Sequence, residues 1–418
     1  MAFGRGRGSS GRTQLLKPVQ QIGLSDRHPR RRLLIVIALL LVAAIAIGSG
    51  IMGLLSGKTG WQTIEGSGAE ISCSGEFILQ YRSETRSEYR AVSRLWSEIT
   101  ADAWKLFCVQ ERYDGVVNPA MLNQNPNTVF TVDAALYRAL ERVVASDNRT
   151  PFLGILHGYY ESLVASQNDT EADRYDPFTN DELRAYYATV ASYARDAESV
   201  RLEFPGENQV CLFVSPAYLA WAESESLDCF FDFGWMKNAF VADYLAERLI
   251  EAGYTAGTLT SLDGFTRTLS TASFGAPIYD EEGTTACRAG SFSYTGPIAM
   301  ADLRAFGVNA MEDARFYVNG KGETRSLYID PADGLCRTST DTLIVYAKEK
   351  SCAELVLCAG SLFVSAEFDR DALLNEARSG GWNAIWCGER EIYYTEPGLL
   401  FADLDADETR IYTAVLAE

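Results

Sequence analysis

The sequence predicts an α+β domain preceded by one transmembrane helix. Three observations carry that expectation: an uncharged apolar run from Leu33 to Leu55, a reversal of charge across it, and, beyond it, strand-like and amphipathic helical runs in mixed order.

The run LLIVIALLLVAAIAIGSGIMGLL holds 23 residues, and a bilayer core needs about 20 at helical rise. Upstream stand Arg5, Arg7, Arg12, Lys17, Arg27, Arg30, Arg31 and Arg32 against Asp26, a formal +7 in a chain of net −19, which leaves −26 for everything after Arg32. Positive flanks stay on the cytoplasmic side. The expected layout is a basic cytoplasmic segment (1–32), the membrane helix (33–55), a Gly/Ser/Thr-rich linker (56–68) and an extracytoplasmic domain (69–418). Two other readings stand beside it. Ala44-Ile45-Ala46 and Gly48-Ser49-Gly50 offer a signal-peptide cleavage site, and Arg30-Arg31-Arg32 loosely matches a twin-arginine export signal. The apolar run exceeds the ~7–15 residues of a signal core, which favours an anchor.

A strongly acidic domain repels phosphates, so nucleic acid is not an expected partner. All nine cysteines lie beyond the anchor, none in a Cys-x-x-Cys pair, and several sit in apolar runs such as Val210-Cys211-Leu212-Phe213. They read as small buried hydrophobes, with no zinc site expected.

Along the domain, Phe77–Tyr81 reads as a strand and the residues from Glu84 as a long amphipathic helix carrying Tyr89, Val92, Trp96 and Ile99 inward. The turn-rich Asn118–Asn127 precedes a strand at Thr128–Val132, and Asp133 caps the next helix. Further expected elements are a helix from Asn180, a strand at Gln209–Val214 and a short helix at Pro216–Glu223. After the apolar run Cys229–Phe231, a strand end turns through Asp232-Phe233-Gly234 into a helix that ends at Gly253. Two strands, Phe316–Val318 and Ser326–Ile329, flank a Gly320-Lys321-Gly322 turn. Then come a strand at Thr342–Tyr346, a tightly packed helix at Cys352–Val364, and strands at Ala384–Cys387 and Glu391–Tyr394.

Three of these places resemble the FAD:protein FMN transferase family, called ApbE. The family's Leu-Asp-Leu-Gly-Gly-Ile-Ala-Lys-Gly turn, with a later aspartate, matches Asp232, Gly234 and Asp243, while Trp235 replaces the second glycine, Asn238 the lysine, and Lys237 sits one place early. Its His-Ile-Ile-Asp-Pro-x-Thr-Gly turn matches Leu327-Tyr328-Ile329-Asp330-Pro331-Ala332-Asp333-Gly334 without the histidine and threonine. Its Ala-Asp-Ala-x-x-Thr-Ala helix matches Ala353, Glu354, Cys358 and Ala359. Asn123 falls where the family has a loop asparagine, and Ser261–Arg267, with Asp263, where it has Asn-Ala-Gly-Gly.

What the resemblance implies is an ApbE-like flavin transferase fold and, if the protein is active, magnesium-dependent transfer of FMN from FAD to a threonine of an exported protein. Asp232, Lys237 and Asp243 would then serve catalysis, Asn123, Gly234, Asp263 and Asp330 would bind FAD, and Glu354, Cys358 and Ser361 would face the magnesium. Magnesium prefers hard oxygen ligands, so Cys358 is a poor substitute for threonine. Lys237 and the amides after Gly234 suit a phosphate; equally, Trp235 and Met236 suit filling the space a glycine pair leaves for a flavin. The alternative function is a catalytically degenerate binding or scaffold module at the cell surface. The domain's one histidine, His157, sits among apolar residues and reads as structural.

Overall fold

In the second half of the chain, apolar residues occupy both faces of successive strands, a pattern that requires cover on each side of a sheet. The computed structural model describes residues 59–65, 72–166, 172–282, 285–308, 315–405 and 410–417. The run Leu33–Leu55 and its basic flank lie outside them, and among the described residues no helix is long and apolar enough to cross a membrane.

Strands β1 (Gly60–Ile64) and β2 (Phe77–Ser83) lead into helix α1 (Arg86–Leu106), whose cap Thr85 accepts from the Glu88 amide. Next come α2 (Pro119–Gln124), β3 (Val129–Thr131), α3 (Ala134–Ser146), α4 (Gly154–Ala165), α5 (Asp181–Arg195), β4 (Val200–Gly206), β5 (Gln209–Val214) and α6 (Pro216–Ser224). A single 3-10 turn at Gly234–Met236 opens α7 (Lys237–Glu251), followed by β6 (Gly257–Ser261) and β7 (Phe265–Thr268). The long hairpin β8 (Ser273–Glu282) and β9 (Thr285–Thr295) precedes β10 (Ala299–Arg304), and the short hairpin β11 (Phe316–Val318) and β12 (Thr324–Ser326) precedes β13 (Thr342–Ala347). Helices α8 (Cys352–Phe363) and α9 (Arg370–Gly380) and strands β14 (Asn383–Gly388), β15 (Glu391–Tyr394), β16 (Leu400–Ala402) and β17 (Thr413–Leu416) complete the order.

The main sheet runs β1-β2-β6-β7-β10-β13-β14-β15-β17, antiparallel except where β15 meets β17. Its side chains divide by the strand period of two. Leu343, Val345, Ala384 and Trp386 join the core beneath the helices, whereas Ile344, Tyr346, Ile385 and Cys387 join a second core under the sheet β16-β9-β8. Each fully buried aliphatic side chain in such layers contributes about 1.5–3 kcal/mol. The nine cysteines are free thiols, seven of them buried.

Three expectations change. The strand end expected at the Asp232 turn does not form: the Asn123 side chain accepts from the Phe230 and Phe231 amides at 3.0 Å and donates to the Phe231 carbonyl at 2.8 Å, taking the place of a neighbouring strand. The strand expected at Ser326–Ile329 stops at Ser326, since β12 pairs only with the three residues of β11. Part of the expected linker 56–68 is strand β1, which pairs with β2 at the edge of the main sheet; the β8–β9 hairpin and helices α4 and α9 are further additions.

Besides their apolar packing, one buried carboxylate ties helices α7 and α8 to the sheet. Asp243, 1% exposed, accepts from Arg267 on β7 and from the amides of Cys352 (3.0 Å) and Ala353 (2.9 Å) at the start of α8. Those amides have no partner within their own helix, and a negative charge there also meets the positive end of the helix dipole. Ser351 and Glu354 close a capping box over the remaining amides. Asp243→Ala leaves a buried guanidinium and two amides unpaired and is expected to cost about 3–5 kcal/mol. Urea denaturation measures it, and a loss within experimental error would show that Asp243 is not the joint between these elements.

Candidate functional site

Asp232 donates its backbone N–H to the Pro151 carbonyl at 2.8 Å and turns the chain by accepting the Gly234 amide on Oδ1, also at 2.8 Å. Gly234 has φ +55, and a Cβ there would stand 2.2 Å from His157 Cε1, so only glycine fits. His157 Nε2 lies 3.1 Å from the Thr150 carbonyl. A carbonyl only accepts, so Nε2 carries the proton, and burial lowers the pKa, keeping the ring neutral. His157 therefore supports the turn.

Two adjoining cavities open on this turn. One, of about 50 Å³, has Trp104, Gln110, Glu161, Asp232, Gly234 and Lys237 in its wall. The other is a groove of about 490 Å³ whose wall includes Asn123, Tyr159, Glu161, Asp228, Cys229 and Asp232. Val109, Gln110, Glu161 and Asp232 belong to both. Burial pushes Asp232 up to about 6, against the pull of the Gly234 amide and Lys237. Burial and the neighbouring Asp232 push Glu161 up as well. Burial opposes the charge on Lys237, but Glu76, Asp232, Glu161 and Asp263 outweigh it and its pKa rises. The ammonium faces the Trp104 ring, 5.8 Å from its centroid.

The structure thus brings together Asp232, Gly234, Lys237 and Asn123 from the expected set. It adds Glu161, Trp104, Gln110 and Tyr159, which were not singled out. The remaining expected residues lie elsewhere. Asp243 is the joint described above and lines neither cavity. Asp263 accepts from Asn238 at 3.2 Å beside a void of about 10 Å³, room for about one water. Asp330 accepts the Ala332 amide at 2.8 Å and pairs with Arg337 at 3.2 Å, shaping the turn that ends at Gly334.

Neither flavin nor magnesium fits the residues present at the positions the resemblance assigns. Trp235 is 5% exposed and meets Tyr328 edge-on, with ring centroids 5.0 Å apart. A Cβ on Gly360 of α8 would stand 3.2 Å from its Cη2. Indole and phenol together fill the space between the Asp232 turn and α8. On α8, one oxygen of the Glu354 carboxylate accepts the Ser351 amide at 2.8 Å, burial raises the Cys358 thiol, and the exposed Ser361 hydroxyl donates to the Cys358 carbonyl. A hard cation finds no set of free oxygens there. Among the described residues, no three His, Cys, Asp or Glu side chains are grouped to hold a metal.

The raised pKa of Asp232 ties stability to pH. The native state holds this proton more tightly than the unfolded chain does. Its stabilising contribution is complete below the ordinary value of 3.8 and is lost as pH rises through about 6, leaving a cost of about 3 kcal/mol at neutral pH. Asp232→Asn keeps the acceptor for Gly234 and removes the charge. Thermal melts are expected to show stabilisation at pH 8 and none at pH 3.5; equal shifts at both would contradict the assignment.

No family model matches the sequence, and no curated protein does. Solved structures do match. The ApbE protein of Thermotoga maritima aligns over 78% of this chain and 94% of its own, with 13% identity and a TM-score of 0.53. The flavin transferase ApbE of Vibrio cholerae aligns over 82% and 96%, with 14% identity and a TM-score of 0.49. The chain therefore carries an ApbE-like fold in a strongly divergent sequence.

Proposed function

We propose that this protein is a membrane-anchored, extracytoplasmic ApbE-fold module that has lost FMN transfer and works by binding. The observation that carries the reading is Trp235, whose ring packs against Tyr328 and Gly360 where a flavin would lie between the turn and α8. The engaged carboxylates of Glu354 and Asp243 support it from the metal side, because phosphoryl transfer depends on neutralising charge at the reacting phosphates. What persists is the Asp232 turn with its two cavities, a concave, largely apolar site that carries a few charged and polar side chains. The anchor rests on the apolar run Leu33–Leu55 and the charge reversal across it.

Incubating the full chain with FAD, magnesium and a target bearing the family's acceptor motif is expected to give neither in-gel flavin fluorescence nor AMP release. Labelled target would restore the transferase reading. Alkaline carbonate extraction of membranes is expected to leave the chain in the pellet; release into the supernatant would remove the anchor.

A further inference from the structure

We infer that the groove bordered by Asp232 and Glu161 binds a neutral carbohydrate, one hydroxyl of which enters the adjoining inner cavity and bridges the Asp232 carboxylate and the Lys237 ammonium. This rests on the binding-module reading and names its ligand class.

The key observation is an acid and a base that face one space without closing on each other. Asp232 is 6% exposed and uses Oδ1 for the Gly234 amide. Its second oxygen has no donor among the described residues, although the side chain lines both cavities. The Lys237 ammonium has no hydrogen-bond or ion-pair partner among the described residues and rests over Trp104. A buried carboxylate and a nearby ammonium gain most from a group that donates to one and accepts from the other. A hydroxyl does both at once.

Charge selects against the other ligand classes. An anion entering by the groove meets Asp228, Glu161 and Asp232 before it reaches Lys237. A cation that reaches the inner cavity meets the ammonium. A neutral polyol gains charge-assisted hydrogen bonds from both signs and is repelled by neither.

The rest of the groove suits a ring with one apolar face. Tyr159 is 40% exposed on its wall, steadied by Tyr186 and Tyr187, each with ring centroids 5.9 Å from its own. It presents an aromatic surface at low conformational cost. Gln110, Gln124 and Ser162 supply neutral donors and acceptors along the same wall. Asn123 contributes none, because its amide is spent on Phe230 and Phe231.

The test is calorimetric titration of the full chain, in a sugar-free detergent, with cellobiose, maltose and diacetylchitobiose. At least one is expected to bind saturably. Lys237→Met and Tyr159→Ala are each expected to weaken that binding roughly tenfold or more in a chain that still melts cooperatively, and Lys237→Arg to recover part of it. Absence of saturable binding by all three sugars, or binding indifferent to both variants, overturns the inference. Tighter binding of butylamine or inorganic phosphate at this groove does the same. Transfer of FMN in the preceding assay defeats the binding-module reading whatever the sugars do. A blank titration without transfer defeats only the ligand class.

Discussion

The arrangement depends on the Asp243 carboxylate. It is buried, yet it is not an isolated charge, because Arg267 and the first amides of α8 converge on it from two other elements. A buried ion pair of this kind adds little net stability over a well-packed apolar pair, but it is costly to break and admits few alternative geometries. It therefore fixes the register of α7 against α8 and of both against β7. Once that register is set, the space between the Asp232 turn and α8 has a definite width, and Trp235 and Tyr328 fill it. On the proposed reading, side-chain volume on an ApbE-like scaffold is what closes the flavin cleft.

The same turn also borders the two cavities. His157 and Gly234 touch there so closely that no side chain fits between them, which seats α4 beside the turn and brings Glu161 towards Asp232. Gly154 does the same one turn earlier, where a Cβ would stand 2.8 Å from the Cys229 carbonyl. These close approaches turn a motif on one loop into a cavity with three walls. They also hold Asp232 where burial raises its pKa, so that a ligand able to hydrogen-bond it relieves an existing cost.

What the sequence made legible is what local chemistry determines. The Asp232-Phe233-Gly234 and Asp330–Gly334 turns need particular residues at particular places, so their outlines persist although neighbouring side chains changed. Capped helices such as Ala134–Ser146 behind Asp133, and apolar strands such as Thr342–Ala347, carry their signal within a few residues. Glu161 was not legible, because its role depends on α4 meeting a turn some seventy residues away. The apolar run at Cys229–Phe231 misled for a related reason: its backbone partner is the side chain of Asn123, far off in sequence. Glu354 stood at a metal position by alignment, while its three-residue spacing from Ser351 equally marks the capping box it forms.

On the proposed reading, an ApbE-like fold holds a packed tryptophan where a flavin cleft would lie. Calorimetric titration of the full chain with FAD, with and without magnesium, is the decisive measurement. No saturable heat is expected in either condition. Stoichiometric FAD binding that strengthens with magnesium would contradict it, since both the cleft and the metal position would then have to be open.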